Sequence, residues 1–247
     1  MIAFVRNILD WIRGLFRTKN APDFNLSRRA LIAAGLGGVG TRLILDVHPL
    51  DSARTFNPKL VRPPGSVSED EFLSRCIRCG ECMKVCPTNV VQPTFLEAGL
   101  VGLWSPLLNM QLGYCEYECT LCTQVCPTDA IKELTFAEKQ QTKIGVAAFD
   151  RGRCLPWASA RSCIVCEEHC PTPTKAIWFE EVEVPNENGD FVTLKQPHVN
   201  PDLCIGCGVC ENKCPFRDQP AIYVTSAGET RNPDNQVLLS SGAEAYY

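Results

Sequence analysis

The stretch CIRCGECMKVCP, residues 76–87, determines how this chain folds. Its first three cysteines stand three residues apart, and the fourth follows four residues later, directly before a proline. The arrangement recurs at residues 115–127, 154–171 and 204–215, with one extra residue in the second copy and six in the third. These copies, motifs 1 to 4 in chain order, use all sixteen cysteines: Cys76, Cys79, Cys82, Cys86, Cys115, Cys119, Cys122, Cys126, Cys154, Cys163, Cys166, Cys170, Cys204, Cys207, Cys210 and Cys214.

This spacing is the one by which bacterial ferredoxins bind [4Fe–4S] clusters. Three thiolates on one tight loop bind three irons of a cluster, while the fourth cysteine, next to the proline, reaches the other cluster of a pair. Gly80, Gly206 and Gly208 allow the loop backbone to approach the sulfurs closely. We therefore predict four [4Fe–4S] clusters, with the sixteen cysteines as their ligands.

Three other uses of the cysteines fit the sequence less well. Zinc ribbons need neither this spacing nor the proline, and cysteines three residues apart in a loop seldom form disulfides. The triad Cys115, Cys119 and Cys122 also matches radical enzymes that use S-adenosylmethionine. Those enzymes leave one iron open, whereas Cys126 follows here as in the other motifs.

Charge and the remaining motifs exclude several classes of function. The chain has 247 residues, with 24 basic against 28 acidic side chains and three histidines. A net charge of -4 argues against nucleic acid as a partner. The sequence has no dinucleotide-binding glycine motif and no P-loop, and a cluster held by four cysteines has no open iron. We predict an electron-transfer subunit with no catalytic site of its own.

The first fifty residues contain two further signals. Apolar and basic side chains alternate with helical period over residues 1–20, which predicts an amphipathic interfacial helix whose residues 2–17 contact a membrane surface or a partner protein. Residues 27–50 begin Ser-Arg-Arg and continue into a short glycine-rich apolar run, which is typical of a twin-arginine signal. Since no good cleavage site follows, we expect this segment to remain as an anchor.

The rest of the chain divides by composition. Prolines over residues 55–70 predict a linker. Residues 71–227, which contain the four motifs, are predicted to form a polyferredoxin domain, and residues 228–247 are predicted to form a polar tail. Alternating residues on both sides of 186–190 predict a β-hairpin between motifs 3 and 4.

Residues 95–114, between motifs 1 and 2, are expected to be helical and then loop. Their apolar side chains are interpreted as core or inter-domain packing, or alternatively as a membrane or partner contact: Leu100, Val101, Leu103, Trp104, Leu107 and Leu108. The predicted fold class is α+β, with two bacterial-ferredoxin-like units of two clusters each. These units are loop-rich with short hairpins and follow an N-terminal helical membrane- or partner-docking arm.

Spacing alone does not decide which motifs pair. The intervening segments suit a sequential arrangement, motif 1 with 2 and motif 3 with 4, and also a nested one, motif 2 with 3 and motif 1 with 4. Because the stretch between motifs 2 and 3 most resembles an ordinary ferredoxin hairpin, we favour the nested arrangement.

Three segments resemble one known family. RPPG at 62–65, CIRCGECMKVCPTN at 76–89 and LGYCEYECTLCTQVCPTDAI at 112–131 are similar to the ferredoxin-type proteins of the NapG/MauM family. The resemblance implies a protein on the periplasmic side of the cytoplasmic membrane. Such a protein would pass electrons from a membrane quinone-linked partner of the NapH type towards a redox enzyme or cytochrome. Two alternatives stay open: an iron–sulfur subunit of a different membrane-associated oxidoreductase, and a maturation factor with structural clusters.

Overall fold

The computed structural model describes residues 57–185, 191–232 and 234–235, and all its helices and strands are short. The helices in this part of the chain are α1 (Glu69–Arg75), α2 (Glu81–Lys84), α3 (Leu121–Gln124), α4 (Phe136–Gln141), α5 (Leu155–Ala158), α6 (Val165–Glu168) and α7 (Val209–Lys213). The strands are β1 (Val91–Pro93), β2 (Pro106–Leu108), β3 (Val146–Phe149), β4 (Ile177–Pro185), β5 (Phe191–Val199) and β6 (Ile222–Thr225).

Two halves with the same plan follow one another along the chain. In the first half, the β1–β2 pair lies between motifs 1 and 2, and a bridge between Ser66 and Ile131 joins the segments on either side of the motifs. In the second half, the β4–β5 hairpin lies between motifs 3 and 4, and β3 pairs with β6 across them. Each half thus combines short helices with a pair of short strands, as the predicted α+β class requires.

The predicted hairpin between motifs 3 and 4 is confirmed. Strands β4 and β5 are antiparallel over nine residues each, from Ile177 opposite Val199 to Pro185 opposite Phe191. Side chains along β4 alternate between more and less exposed positions, but the phase changes at Glu180 and Glu181, which are both exposed. Ile177 and Phe179 are therefore less exposed on one face of the hairpin, and Val182 and Val184 on the other.

The helix expected within residues 95–114 is absent from this described segment. Thr94 instead donates its backbone N–H to the carbonyl of Ser105 at 2.7 Å, and Trp104 donates back to the carbonyl of Thr94 at 2.9 Å. These bonds extend the β1–β2 pairing across the loop, and positive φ angles at Gly99 and Trp104 are incompatible with a continuous helix. The helical prediction is wrong because these cross-loop bonds replace helical ones.

The same loop also corrects the packing prediction. Leu107 and Leu108 are buried, as expected, but the other four apolar side chains of this prediction are exposed to solvent. Their exposed fractions are 49%, 42%, 38% and 58% for Leu100, Val101, Leu103 and Trp104. Phe95 and Leu96 are exposed as well. Residues 95–104, here named the apolar loop, therefore present an unburied apolar surface.

The predicted linker at 55–70 is wrong over its described part, because residues 60–64 are buried. Arg62 is 1% exposed and anchors this segment. Its guanidinium donates to both carboxylate oxygens of Glu69, to the hydroxyl of Ser105 and to the carbonyl of Pro106, and it lies over the ring of Phe72. The prolines here stiffen a packed extended strap rather than a hinge.

Replacing Arg62 by alanine is expected to lower the free energy of unfolding by about 3 kcal/mol, because a buried carboxylate loses its main partner. Burial acts to raise the pKa of Glu69, but the hydrogen bonds and charges of Arg62 and Arg231 outweigh it, so the pKa is lowered. The stabilisation is therefore present at neutral pH and lost as the pH falls through that lowered pKa. Anaerobic urea unfolding of the wild-type and Arg62→Ala proteins at several pH values measures this difference in the free energy of unfolding.

Arg75 offers a matched control. It forms an exposed ion pair with Glu71 one helical turn away, and such pairs contribute about 0.5 kcal/mol or less. An Arg75→Ala variant should therefore unfold close to the wild-type urea concentration. Equal losses in the two variants would contradict the role assigned to Arg62.

The two ends of the chain lie partly or wholly outside the described residues. The amphipathic helix of 1–20 and the twin-arginine segment of 27–50 are outside them. The first part of the predicted C-terminal tail is not free, since Asn235 is buried and donates to the carbonyl of Ser226 at 2.7 Å. Among the described helices, none is both long and apolar enough to span a membrane.

Candidate metal centres

Four cavities are each lined by four cysteines, three from one motif and one from another. We number each site after the motif that supplies three. Sites 1 and 2 are lined by Cys76, Cys79, Cys82 with Cys126, and by Cys115, Cys119, Cys122 with Cys86. Sites 3 and 4 are lined by Cys154, Cys163, Cys166 with Cys214, and by Cys204, Cys207, Cys210 with Cys170. All sixteen predicted ligands are thus brought together in fours.

The exchange of fourth cysteines gives the pairing of motifs. Motifs 1 and 2 exchange Cys86 and Cys126, and motifs 3 and 4 exchange Cys170 and Cys214. The pairing is therefore sequential, and the nested arrangement that we favoured is wrong. The physical reason is that the stretch between motifs 2 and 3 forms no hairpin of its own, since its strand β3 pairs with β6 beyond motif 4.

Each motif places its third cysteine on a short helix. Cys82, Cys122, Cys166 and Cys210 lie within the first two residues of α2, α3, α6 and α7. The first turn of a helix leaves backbone N–H groups without helical partners, so they remain available to sulfur. Gly80 and Gly208, both at φ 78°, precede α2 and α7 and turn the chain into them.

The cysteines and cavities fit metal–sulfur clusters. Each site encloses a small cavity of about 20 Å³ between its four cysteines. In the part of the chain that the structure describes, no three cysteine, histidine or carboxylate side chains converge on a position for a single ion. The cysteines instead surround a space.

Electrostatics favours positive charge in these cavities. Burial, with the nearby thiolates of Cys76 and Cys79, raises the pKa of Cys82 to about 12. Burial and neighbouring thiolates likewise raise the pKa of Cys166 to about 12. Thiols of this kind lose their protons when metal ions bind them, and the metal ions supply the compensating charge.

Threonines beside the fourth cysteines are functional residues that the motif analysis missed. The sulfur and hydroxyl oxygen lie 3.5, 3.8 and 3.2 Å apart in the pairs Cys86–Thr88, Cys126–Thr128 and Cys170–Thr172. Burial acts to raise the pKa of Cys86, but hydrogen bonds from the Thr88 hydroxyl and from backbone N–H groups outweigh it and lower the pKa. The available signal was a threonine two residues after three of the four Cys-Pro cysteines.

Comparisons with known proteins agree with this geometry. The 4Fe-4S dicluster domain matches residues 75–130, which hold motifs 1 and 2, and the 4Fe-4S binding domain matches residues 197–217. Both descriptions support the four [4Fe–4S] clusters predicted from the motifs.

Curated relatives cover most of the chain. The ferredoxin-type protein NapG of Escherichia coli is 34% identical over 214 residues, which are 84% of this chain and 88% of that protein. The methylamine utilization ferredoxin-type protein MauM of Methylorubrum extorquens is 32% identical over 227 residues, 86% of this chain and 97% of its own. The ferredoxin-type protein NapF of Escherichia coli is 33% identical over 165 residues, 66% of this chain and 85% of its own. No solved structure matches.

Proposed function

This chain belongs to the family of NapG and MauM ferredoxin-type proteins, and we propose that it relays single electrons between a membrane quinone-linked protein and a redox enzyme or cytochrome. Family membership and the four motifs make it an iron–sulfur electron-transfer protein with four [4Fe–4S] clusters. Such a cluster, when bound, takes up and releases one electron at a time. The proposal adds that the sixteen cysteines are the ligands and that the chain catalyses no reaction of its own.

The observation that supports one continuous route is a contact between the two halves. The backbone N–H of Cys115 in site 2 donates to the carbonyl of Cys207 in site 4, at 2.8 Å. The side-chain amide of Asn212 donates to the carbonyls of Met110 and Gln111, each at 3.3 Å. Site 2 therefore lies directly against site 4, with two ligand loops in backbone contact.

Packing around this contact leaves no room for larger groups. Tyr114, just before Cys115, and Tyr117, within the motif 2 loop, pack against the residues around Cys207. Gly208 has φ 78°, and a Cβ on it would lie 2.2 Å from Sδ of Met110. A glycine here therefore permits the close approach of the two loops.

The contact, together with the sequential pairing, gives an order of sites. Site 1 adjoins site 2 because they exchange Cys86 and Cys126, and site 3 adjoins site 4 because they exchange Cys214 and Cys170. With sites 2 and 4 in contact, the order is site 1, site 2, site 4, site 3. Sites 1 and 3 are the two ends of the route.

Exposure of the cysteines distinguishes site 1 from site 4. Of the sixteen, only Cys79 in site 1 is exposed, whereas the three cysteines that motif 4 supplies to site 4 are all buried. An end of the route must come close to a partner protein, while an interior site needs no such access. Site 1 is accordingly suited to exchange electrons with a docked partner.

The apolar loop lies beside site 1. Arg78, between the first two cysteines of motif 1, donates to the carbonyl of Val101 in this loop. Pro106, the first residue of β2 shortly after the loop, lines site 1. Large apolar side chains on a surface next to a redox site mark a place for protein contact. The membrane quinone-linked partner, of the NapH type, would cover this loop and so come close to site 1.

The membrane connection is part of the proposal. Residues 2–17 would hold the chain at the membrane surface or on the partner, and the segment 27–50, with Arg28 and Arg29, would direct export and stay attached. The chain would then act on the periplasmic side of the cytoplasmic membrane. The redox enzyme or cytochrome would dock at site 3.

Quinol-dependent reduction tests this function. The full chain, with about sixteen irons on the four-cluster assignment, should be reduced by quinol in membranes that contain the quinone-linked partner. A chain that begins at Asn57 should keep its iron and its reduction by dithionite, because all cysteines follow residue 75. It should lose reduction by quinol, because it lacks residues 2–17 and 27–50. Absorbance and electron paramagnetic resonance measure the reduction by dithionite and by quinol in each form.

Comparison of the full chain with the chain that begins at Asn57 tests the docking role of the N-terminal segments separately from the quinol-linked relay. Equal reduction of both by quinol would show that the N-terminal segments are not docking elements. Failure of both, with the partner present and the iron in place, would reject the quinol-linked relay.

A further inference from the structure

Lys139 is a buried lysine that the cysteine motifs do not point to. It lies on α4, whose start is fixed by a capping box in which Thr135 and Glu138 bond each other's backbone N–H groups. The residue is 2% exposed, although α4 is otherwise largely at the surface. A lysine is almost never buried to this degree unless a partner balances its charge.

The ammonium group of Lys139 is directed at the motif 2 loop. Nζ donates to the carbonyls of Glu116 and Tyr117, at 2.5 and 2.9 Å, and lies 5.6 Å from the centre of the Tyr117 ring. These two carbonyls follow Cys115 directly in the chain. The positive charge is thus held beside site 2, near its contact with site 4.

The neutral carbonyls do not balance this charge. In the part of the chain that the structure describes, no carboxylate forms an ion pair with Lys139. The carboxylate of Glu116 is exposed and accepts from the N–H of Tyr117 instead. Glu116 and Tyr117, whose carbonyls accept from the ammonium group, directly follow the site 2 cysteine Cys115 in the chain. The group that Lys139 acts on is therefore the thiolate set of site 2.

We propose that Lys139 is a positioning charge that raises the reduction potential of the cluster in site 2. A cluster bound by four thiolates is anionic, and taking up one electron adds one negative charge with no bond made or broken. A fixed buried cation favours that reduced form more strongly than an exposed one does, because solvent screens the latter. This inference rests on the proposed function, since it requires a cluster in site 2.

Exposed basic residues near other sites provide the contrast. Lys175 donates to the carbonyls of Cys170 and Glu168, at 2.7 and 3.4 Å, and so also lies beside a ligand loop. It is exposed, however. Lys139 and Lys175 thus form a matched pair that differs chiefly in burial.

The test compares Lys139→Met, Lys139→Arg and Lys175→Met in the full chain. Each protein is titrated anaerobically, and electron paramagnetic resonance gives the four midpoint potentials. We expect one of the four to fall in Lys139→Met while the other three stay, and all four to stay close to wild type in Lys139→Arg and Lys175→Met. Four unchanged potentials in Lys139→Met, or an equal fall in Lys139→Arg, would overturn the proposal.

Iron content separates this inference from the function on which it rests. If wild-type protein purified anaerobically holds little iron, the proposed function itself fails. If Lys139→Met alone loses the iron of one site while Lys139→Arg keeps it, the charge serves to retain the cluster rather than to set its potential, and the proposal falls. If both lose it, the lysine serves packing and the proposal falls.

Discussion

Removing the cluster of site 4 is expected to disconnect site 3 from the other end of the protein. The order site 1, site 2, site 4, site 3 makes site 4 the sole neighbour of site 3 along the route. In a Cys204→Ala/Cys207→Ala variant, electrons delivered at site 1 should rapidly reduce two of the three remaining clusters. The third should fill only slowly, because electron tunnelling weakens steeply with distance.

The electrons can be delivered without any partner protein. Leu100 is exposed on the apolar loop beside site 1, so a Leu100→Cys substitution, labelled with a photoreductant after cluster loading, fixes the point of delivery. Repeated flashes with a sacrificial donor then inject electrons at that end. Absorbance gives the number of clusters reduced in the rapid phase.

The matched control removes the terminal cluster instead. A Cys154→Ala/Cys163→Ala variant lacks the cluster of site 3, and all three remaining clusters should be reduced rapidly. Dithionite with mediators should reduce all three in both variants, which verifies that the clusters are present. An order in which site 3 follows site 2 requires the reverse result, with rapid reduction of three clusters in the first variant and two in the second.

A second large effect is expected at the apolar loop. The substitutions Leu100→Glu and Trp104→Glu place charge on the surface that we assign to the quinone-linked partner. Central apolar residues of an interface commonly contribute about 2 kcal/mol or more each, which corresponds to roughly thirtyfold in affinity. We expect the double variant to need at least about thirtyfold more protein for half-maximal quinol-dependent reduction.

Phe191 supplies the control for this substitution. It is 72% exposed at the start of β5, on the hairpin of the second half. A Phe191→Glu variant removes an apolar group that is more exposed than Leu100 or Trp104, and it should retain wild-type reduction by quinol. Iron content and dithionite reduction should be unchanged in all these proteins. If the loop variant behaves as the Phe191 variant does, the partner docks elsewhere.

Local features of the fold could be predicted from the sequence because they depend on few neighbouring residues. The β4–β5 hairpin follows from alternation on both sides of residues 186–190. The helical prediction within residues 95–114 failed because its apolar pattern resembles one helix face, while hydrogen bonds of Thr94 with Trp104 and Ser105 close the segment as a loop. Proline content likewise suggested a linker where the partners of Arg62, up to 44 residues away, bury the segment.

The sequence by itself predicted the four clusters, and it named the sixteen cysteines that line the four cavities. In motifs 1 and 4, three cysteines within seven residues suffice to recognise a cluster site from local spacing. The tertiary structure alone decided which motifs pair, that Cys115 meets Cys207, and that Lys139 is buried beside site 2. These depend on how segments far apart in the chain pack together. A cysteine motif does not encode that packing, because the same spacing is compatible with either arrangement of the halves.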